Sequence, residues 1–230
     1  FKISEYDLAP VKLELGDILI LKEKFNEALI YYTQIERNLK NSTIAQEARF
    51  KIAKASYYKG DFKWAESQLK ILKSSTSQLT ANDALDLKLL ISDNRAEDSL
   101  QVALTKYAKA DLLAFQNKND QAISILNSVL TDHKTEVIVP QALLKQAALF
   151  EIKNEFENAK SNYQRIITDF KDSILLDNAL YNLAELLVNH LNQPEEAKKL
   201  YEQLLFNHSD SIYAVDARKK FRALRGDTLN

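Results

Sequence analysis

A small residue returns at nearly constant spacing along the chain, and this repetition limits the possible fold more than any other feature. Five alanines lie 37, 57, 37 and 38 residues apart: Ala28, Ala65, Ala122, Ala159 and Ala197. A second small residue precedes the first four by 12 residues and the last by 13: Gly16, Ala53, Ala110, Ala147 and Ala184. Two antiparallel helices approach closely only where both carry small side chains, so the pattern predicts helix–turn–helix repeats.

Large side chains follow the alanines at helical spacing. Tyr32 and Ile35 follow Ala28, and Tyr163 and Ile166 follow Ala159 in the same way. This small–large–small–large order resembles the tetratricopeptide repeat over nearly the whole chain. The resemblance implies an all-α fold, a right-handed α-solenoid of about five repeats, within a single domain covering residues 1–230.

Composition agrees with a helical fold and excludes several others. The chain has only three glycines, whereas average usage of about 7% would give roughly sixteen. A β-sandwich or a glycine-rich phosphate loop is therefore not expected. The net charge of −1 argues against nucleic acid as a partner, and no apolar run reaches the roughly 18 residues of a membrane span. Because the sequence begins at Phe1 and lacks methionine, we expect a fragment of a longer chain.

Twelve helices are predicted from the periodicity and from the capping residues, among them Ser42, Ser173 and Ser211 before helices and Pro140 and Pro194 in first turns. The predicted ranges are 8–22, 25–38, 44–58, 61–73, 80–92, 97–116, 119–131, 138–153, 155–169, 174–190, 194–206 and 211–224. Loops are predicted at residues 74–77 and 92–94.

Two parts of this pattern are irregular. The 57-residue gap holds one helix more than the period needs, so we expect an irregular insertion near residues 80–100 that alters the path of the chain. The last helix, 211–224, is predicted to cap the repeats. In that role Ile212, Val215 and Phe221 would point inward, and Arg218, Lys219 and Arg222 would point to water.

No catalytic, cofactor or metal site is predicted. The three histidines, His133, His190 and His208, lack the partners at helical spacing that a metal pair needs, and the chain has no cysteine. Acidic pairs such as Glu195–Glu196 are typical of solvated helix faces. We therefore expect a non-catalytic protein that needs no cofactor.

The resemblance to tetratricopeptide repeats implies a binding groove lined by the first helix of each repeat. In the chaperone-binding members, a clamp of Lys and Asn holds a peptide carboxylate. The corresponding positions here are Leu13, Asp17, Phe50 and Lys54, so this clamp is absent. The groove positions that we predict to bind a protein or peptide segment are Phe50, Lys54, Tyr57, Tyr107, Asp111, Tyr181, Asn182 and Glu185. The alternative for the aromatic members is packing between repeats.

Three functions stay open at this point. The first is a protein-interaction scaffold, the second a self-associating structural element, and the third an accessory domain of an enzyme on a preceding segment. Residues 59–95, with Lys59-Gly60-Asp61-Phe62, resemble tetratricopeptide proteins common in Bacteroidota, and the Asp-Ser-Ile motif at 172–174 and 210–212 is similar to repeats of bacterial cell-envelope proteins. That resemblance implies a periplasmic or envelope-associated location.

Overall fold

The computed structural model describes residues 3–72, 77–97 and 101–227, and every regular element in these ranges is an α-helix. The all-α prediction is therefore confirmed. In chain order the twelve helices of the described ranges are α1 (Glu5–Leu21), α2 (Phe25–Asn38), α3 (Thr43–Tyr58), α4 (Phe62–Leu72), α5 (Gln78–Glu97), α6 (Val102–Phe115), α7 (Asn119–Asp132), α8 (Val139–Ile152), α9 (Phe156–Asp169), α10 (Leu176–Asn189), α11 (Pro194–Asn207) and α12 (Ala214–Arg225).

The chain divides into two compact units. Unit 1 comprises Phe1–Ile125 with Glu136–Ile138, and unit 2 comprises Leu126–Thr135 with Val139–Asn230, so the boundary falls inside α7. In unit 1, helices α1 to α5 each pack on the next one along the chain, and the same is true of α8 to α12 in unit 2. Our expectation of one domain stays a prediction.

The repeated small residues lie where the sequence pattern predicts helix crossings. All five alanines of the second helices are completely buried, and so are Ala53, Ala110, Ala147 and Ala184 of the first helices. At Gly16 the approach leaves no room for a side chain, because a Cβ added there would lie 2.3 Å from the Tyr32 ring. The repeat register derived from the sequence is therefore correct.

The turn between the two helices of a repeat uses one backbone conformation throughout. Five residues at this turn have a positive φ: Glu23, Gly60, Asn117, Asn154 and Asn192. Each lies five positions before the buried alanine of its repeat. Gly and Asn tolerate this left-handed conformation best, so Glu23 is the exception among the five.

Three of the five predicted capping residues lie at helix starts, whereas Ser173 and Ser211 accept hydrogen bonds in the turns before α10 and α12, whose N-cap positions are Leu175 and Tyr213. The Ser42 Oγ accepts a hydrogen bond of 3.2 Å from the Ala45 amide at the start of α3. Pro194 occupies the first turn of α11, as predicted, and Pro140 is the second residue of α8. These proline positions cost no hydrogen bond, because first-turn amides have no helical acceptor.

The irregular region differs from its prediction in one respect. Residues 92–94 were predicted as a loop, but they belong to α5, which continues to Glu97. Ile91 and Asn94 are buried, and the Asn94 side chain donates a hydrogen bond of 2.8 Å to the Leu90 carbonyl. Burial on this face keeps the polar stretch helical. The predicted loop residues 74–76 lie outside the described residues.

Candidate protein-binding site

Unit 1 contains a cavity of about 670 Å³ along one face of α3, which we name the α3 groove. Phe50, Lys54 and Tyr58 of α3 line it, together with side chains of α1, α2 and the first part of α5. Phe115, the last residue of α6, lies at the groove and stacks on Tyr58 with ring centroids 6.4 Å apart. Two predicted site residues, Phe50 and Lys54, therefore line one cavity.

Charged side chains in the groove form one close pair and leave one lysine over an aromatic ring. The Lys51 ammonium lies 2.7 Å from an Asp17 carboxylate oxygen, and Asp17 also accepts a hydrogen bond of 2.6 Å from the Tyr32 hydroxyl. Lys54 instead places its Nζ 5.8 Å from the centre of the Tyr58 ring. Cation–π contact of this kind holds the ammonium in place without neutralising it.

Two other predicted site residues are core residues. Tyr57 has no exposed surface and Tyr107 is 8% exposed, so neither can meet a partner at the surface. For these two tyrosines the packing alternative describes the structure. Burial raises the pKa of both phenols well above the usual range, and the nearby Asp111 charge adds to the shift.

The position of α6 explains why these tyrosines are buried. α6 packs on α3, and Lys109 of α6 and Gln116 just after it reach the turn after α1. There the Lys109 ammonium lies 3.0 Å from a Glu23 carboxylate oxygen, and the Gln116 amide donates a bond of 3.0 Å to the Leu21 carbonyl. The extra helix α5 thus leads the chain back to the first two repeats, where α6 packs on α3.

The predicted site residues of unit 2 lie against the last helix. Tyr181 stacks on Tyr213 with ring centroids 4.5 Å apart, and its hydroxyl donates a hydrogen bond to Asp216. Glu185 pairs with Lys220, while Asn182 lies beside the Tyr163 hydroxyl and partly offsets the rise in its pKa. These three predicted residues therefore have partners within their own unit.

Electrostatics at this cluster favour the ionised forms of its acid and base. The hydrogen bond from Tyr181 and then Lys220 hold the pKa of Asp216 below its usual range. Desolvation lowers the pKa of Lys220, but hydrogen bonds to Glu185, Tyr181 and Asp216 outweigh it and raise that pKa overall. The cluster is a set of compensated charges, which joins α10 to α12.

Helix α12 caps unit 2 with other residues than those predicted. Ala214 and Ala217 are its buried positions, whereas Ile212 is 87% and Val215 is 65% exposed. The prediction that Ile212 and Val215 point inward is wrong. α12 thus packs on α11 with small rather than large apolar residues as its buried positions.

A recurrent arrangement of tyrosine, carboxylate and lysine was missed from the sequence. Tyr32 donates to Asp17, which pairs with Lys51, and Tyr201 donates to Glu185, which pairs with Lys220. The lysine follows the carboxylate by 34 residues in the first case and by 35 in the second, about one repeat. That spacing of carboxylate and lysine, about one repeat, could have indicated the arrangement from the sequence.

Across 3–72, 77–97 and 101–227, no three histidine or acidic side chains are grouped as a metal ion would need. In those same ranges no helix combines the length and apolar character of a membrane span.

Two segments of the chain, residues 141–173 and 178–211, match the family described as tetratricopeptide repeat. Over these two segments the resemblance to tetratricopeptide repeats predicted from the sequence is confirmed. The matched segments are the α8–α9 and α10–α11 pairs, each continuing into the loop that follows. The match to Bacteroidota proteins stays a prediction.

Several solved structures align with most of this chain, at low sequence identity and with TM-scores below 0.5. The MamA 41-end structure from Desulfovibrio magneticus RS-1 is 14% identical, with a TM-score of 0.44, and the alignment covers 90% of this chain and 98% of that one. A second MamA structure is 15% identical with a TM-score of 0.42, covering 97% and 98%. A structure of Naa15/Naa10 bound to HypK-THB is 18% identical with a TM-score of 0.45, covering 98% and 34%. No curated protein sequence matches the chain.

Proposed function

We propose that this chain is a non-catalytic protein-interaction scaffold, which binds a segment of a partner protein in the α3 groove. The observation that carries the proposal is the α3 groove itself, which brings Phe50, Phe115 and Tyr58 together around Lys54. Aromatic side chains in a concave surface are favoured anchors for a partner. They stand on packed helices, so little conformational entropy is lost when a partner binds.

The experiment compares two phenylalanine truncations. Phe50→Ala removes an aromatic side chain from the groove, whereas Phe206→Ala removes one that is 79% exposed in unit 2. We expect immobilised Phe50→Ala protein to capture at least several-fold less of a partner that the parent and Phe206→Ala proteins retain. Quantitative mass spectrometry of the captured proteins gives the comparison.

Thermal unfolding of both variants supplies the control for this experiment. Equal capture by the parent and both variants, with unchanged melting, would remove the α3 groove from consideration. If Phe206→Ala alone lost the partner, binding would belong to unit 2.

Self-association is a second candidate, supported by the outer face of α1. Val11, Leu15, Ile18 and Leu21 follow one another at helical spacing, and each is between 41% and 55% exposed. Exposed apolar stripes of this kind favour contact with another protein surface. Ile18→Lys is expected to abolish any concentration-dependent sedimentation of the parent, whereas Ile30→Lys on α2 leaves it unchanged. A parent that sediments as a monomer at all concentrations would refute this candidate.

The envelope location is proposed from the resemblance alone. Cell fractionation of the full-length protein in its natural host tests it. Recovery with cytoplasmic markers would contradict the proposal.

A further inference from the structure

The α3 groove carries opposite charges toward its two ends. Glu47 lies in the first half of α3 and Lys54 in the second half, and both line the groove. They are seven positions apart in the helix, which corresponds to about 10 Å along the helix axis. Asp83, in the first part of α5, also lines the groove. α3 and α5 both pack on α4, so they run in the same direction and Asp83 accompanies the start of α3.

Ion pairs within the protein neutralise some of the charges in the groove, but the charges of Lys54 and Asp83 remain available to a ligand. Lys51 is the partner of Asp17 at 2.7 Å and lies 3.9 Å from Glu47. Among the described residues, Lys54 has the Tyr58 ring as its neighbour and forms no ion pair, and Asp83 forms none either. The groove is therefore negative toward Asp83 and positive toward Lys54, with Phe50 between them.

We infer that the groove binds a partner segment with a basic residue at one position and an acidic residue about 10 Å further along. The basic residue meets Asp83, the acidic residue meets Lys54, and an apolar side chain between them packs on Phe50. This inference rests on the proposed function and adds the chemistry of the bound segment. Complementary charges of this kind fix the orientation of a ligand more than they raise its affinity.

Three sets of labelled nine-residue peptides test the inference by fluorescence anisotropy. The first has Arg and Glu three residues apart with Leu between them, since an extended chain spans about 10 Å in three residues. The other two carry Arg at both positions or Glu at both. We expect the Arg/Glu set to bind the parent protein about two- to fivefold tighter than either like-charge set, as one partly exposed ion pair allows.

Charge reversal in the protein should redirect this preference. Lys54→Glu is expected to favour the Arg/Arg set, and Asp83→Lys the Glu/Glu set, each by about two- to fivefold. Lys63→Glu on α4 and Asp86→Lys on α5 are matched controls, because both parent side chains are exposed and neither lines the groove. The controls should keep the preference of the parent.

The outcomes separate this inference from the proposed function. If Phe50→Ala weakens all three peptide sets but charge reversal changes no preference, the groove binds peptides and the inferred polarity is wrong. If the three sets bind the parent equally, an apolar ligand suffices and the inference is likewise overturned. Absence of binding by every set at millimolar peptide overturns it for short segments, while partner capture still tests the scaffold.

Discussion

A buried tyrosine that donates to a carboxylate recurs at one position of three repeats. Tyr32 donates to Asp17, Tyr163 to Glu151 and Tyr201 to Glu185. In each case the donor belongs to the second helix of a repeat and the acceptor to the first. A hydrogen bond to a charged acceptor contributes about 1.5–3 kcal/mol, more than a neutral one. These bonds therefore stabilise each repeat individually, in addition to its apolar core.

Two tyrosine-to-phenylalanine substitutions should differ in their effect on stability. Tyr32→Phe removes the bond to Asp17 and is expected to lower the free energy of unfolding by about 1–3 kcal/mol. Tyr57 is completely buried, and its hydroxyl makes no hydrogen bond with the described residues, so Tyr57→Phe should be neutral or stabilising. Urea unfolding of both variants measures the difference. Equal losses would show that the tyrosine–carboxylate bond adds nothing.

Gly16 should be intolerant of even a methyl group. The added Cβ would lie 2.3 to 2.9 Å from three atoms of the Tyr32 ring, so the ring must move. Gly16→Ala is expected to destabilise the protein by about 1–3 kcal/mol through overpacking. A second change, Tyr32→Leu, supplies the residue that Leu69 and Leu126 provide in other repeats, and it should recover part of this loss. A fully stable Gly16→Ala protein would mean that the helices separate easily.

At the scale of the elements, the packing of repeat pairs follows from the small residues. Ala159 on α9 is completely buried where α9 packs on α8, whereas Ala148 on α8 is exposed. We expect Ala159→Leu to lower the free energy of unfolding by about 1–3 kcal/mol and Ala148→Leu to change it little. Ala65→Leu in unit 1 should resemble Ala159→Leu. If the buried and exposed substitutions have equal unfolding midpoints, the helix crossing is not at Ala159.

The same small residues made the repeat register predictable from the sequence. The large aromatic residues, in contrast, did not show which of them line the groove. Spacing identifies the crossing of neighbouring helices, because that contact is local in sequence. The contact of α6 with α3 joins residues on either side of an irregular insertion, and no periodicity extends across it. Phe50 and Lys54 line the α3 groove, while Tyr57 of α3 and Tyr107 of α6 are buried, and the pattern does not encode the docking position of α6.

Over the whole chain, buried phenols link stability to alkaline pH. Burial is the main cause that raises the pKa of six buried tyrosines above the usual value near 10: Tyr32, Tyr57, Tyr58, Tyr107, Tyr163 and Tyr201. Each folded pKa exceeds the unfolded one, so above about pH 10 the unfolded chain binds fewer protons than the folded chain. The stability that these phenols contribute is present below that pH and is lost as the pH rises.

Denaturation in urea between about pH 8 and pH 11 should therefore show a falling free energy of unfolding above pH 10. Tyrosinate absorbance near 295 nm should appear for these residues only together with unfolding. The Tyr57→Phe and Tyr163→Phe variants should lose less stability between those two pH values than the parent. Full titration of all tyrosines near pH 10 in a protein that stays folded would contradict the burial described above.

The docking of α6 near the turn after α1 also determines how the two units can change in length during evolution. In the described part of unit 2 each helix from α8 to α11 packs on the next one along the chain, so a repeat can be gained or lost there with local repair. In unit 1 the contact between Glu23 and Lys109 joins residues 86 positions apart in the sequence. It brings α6 against the turn that follows α1. An extra repeat between them would carry α6 away from α1 and open the α3 groove. Repeat number in unit 1 is therefore fixed by geometry, and variation between related chains should accumulate in unit 2.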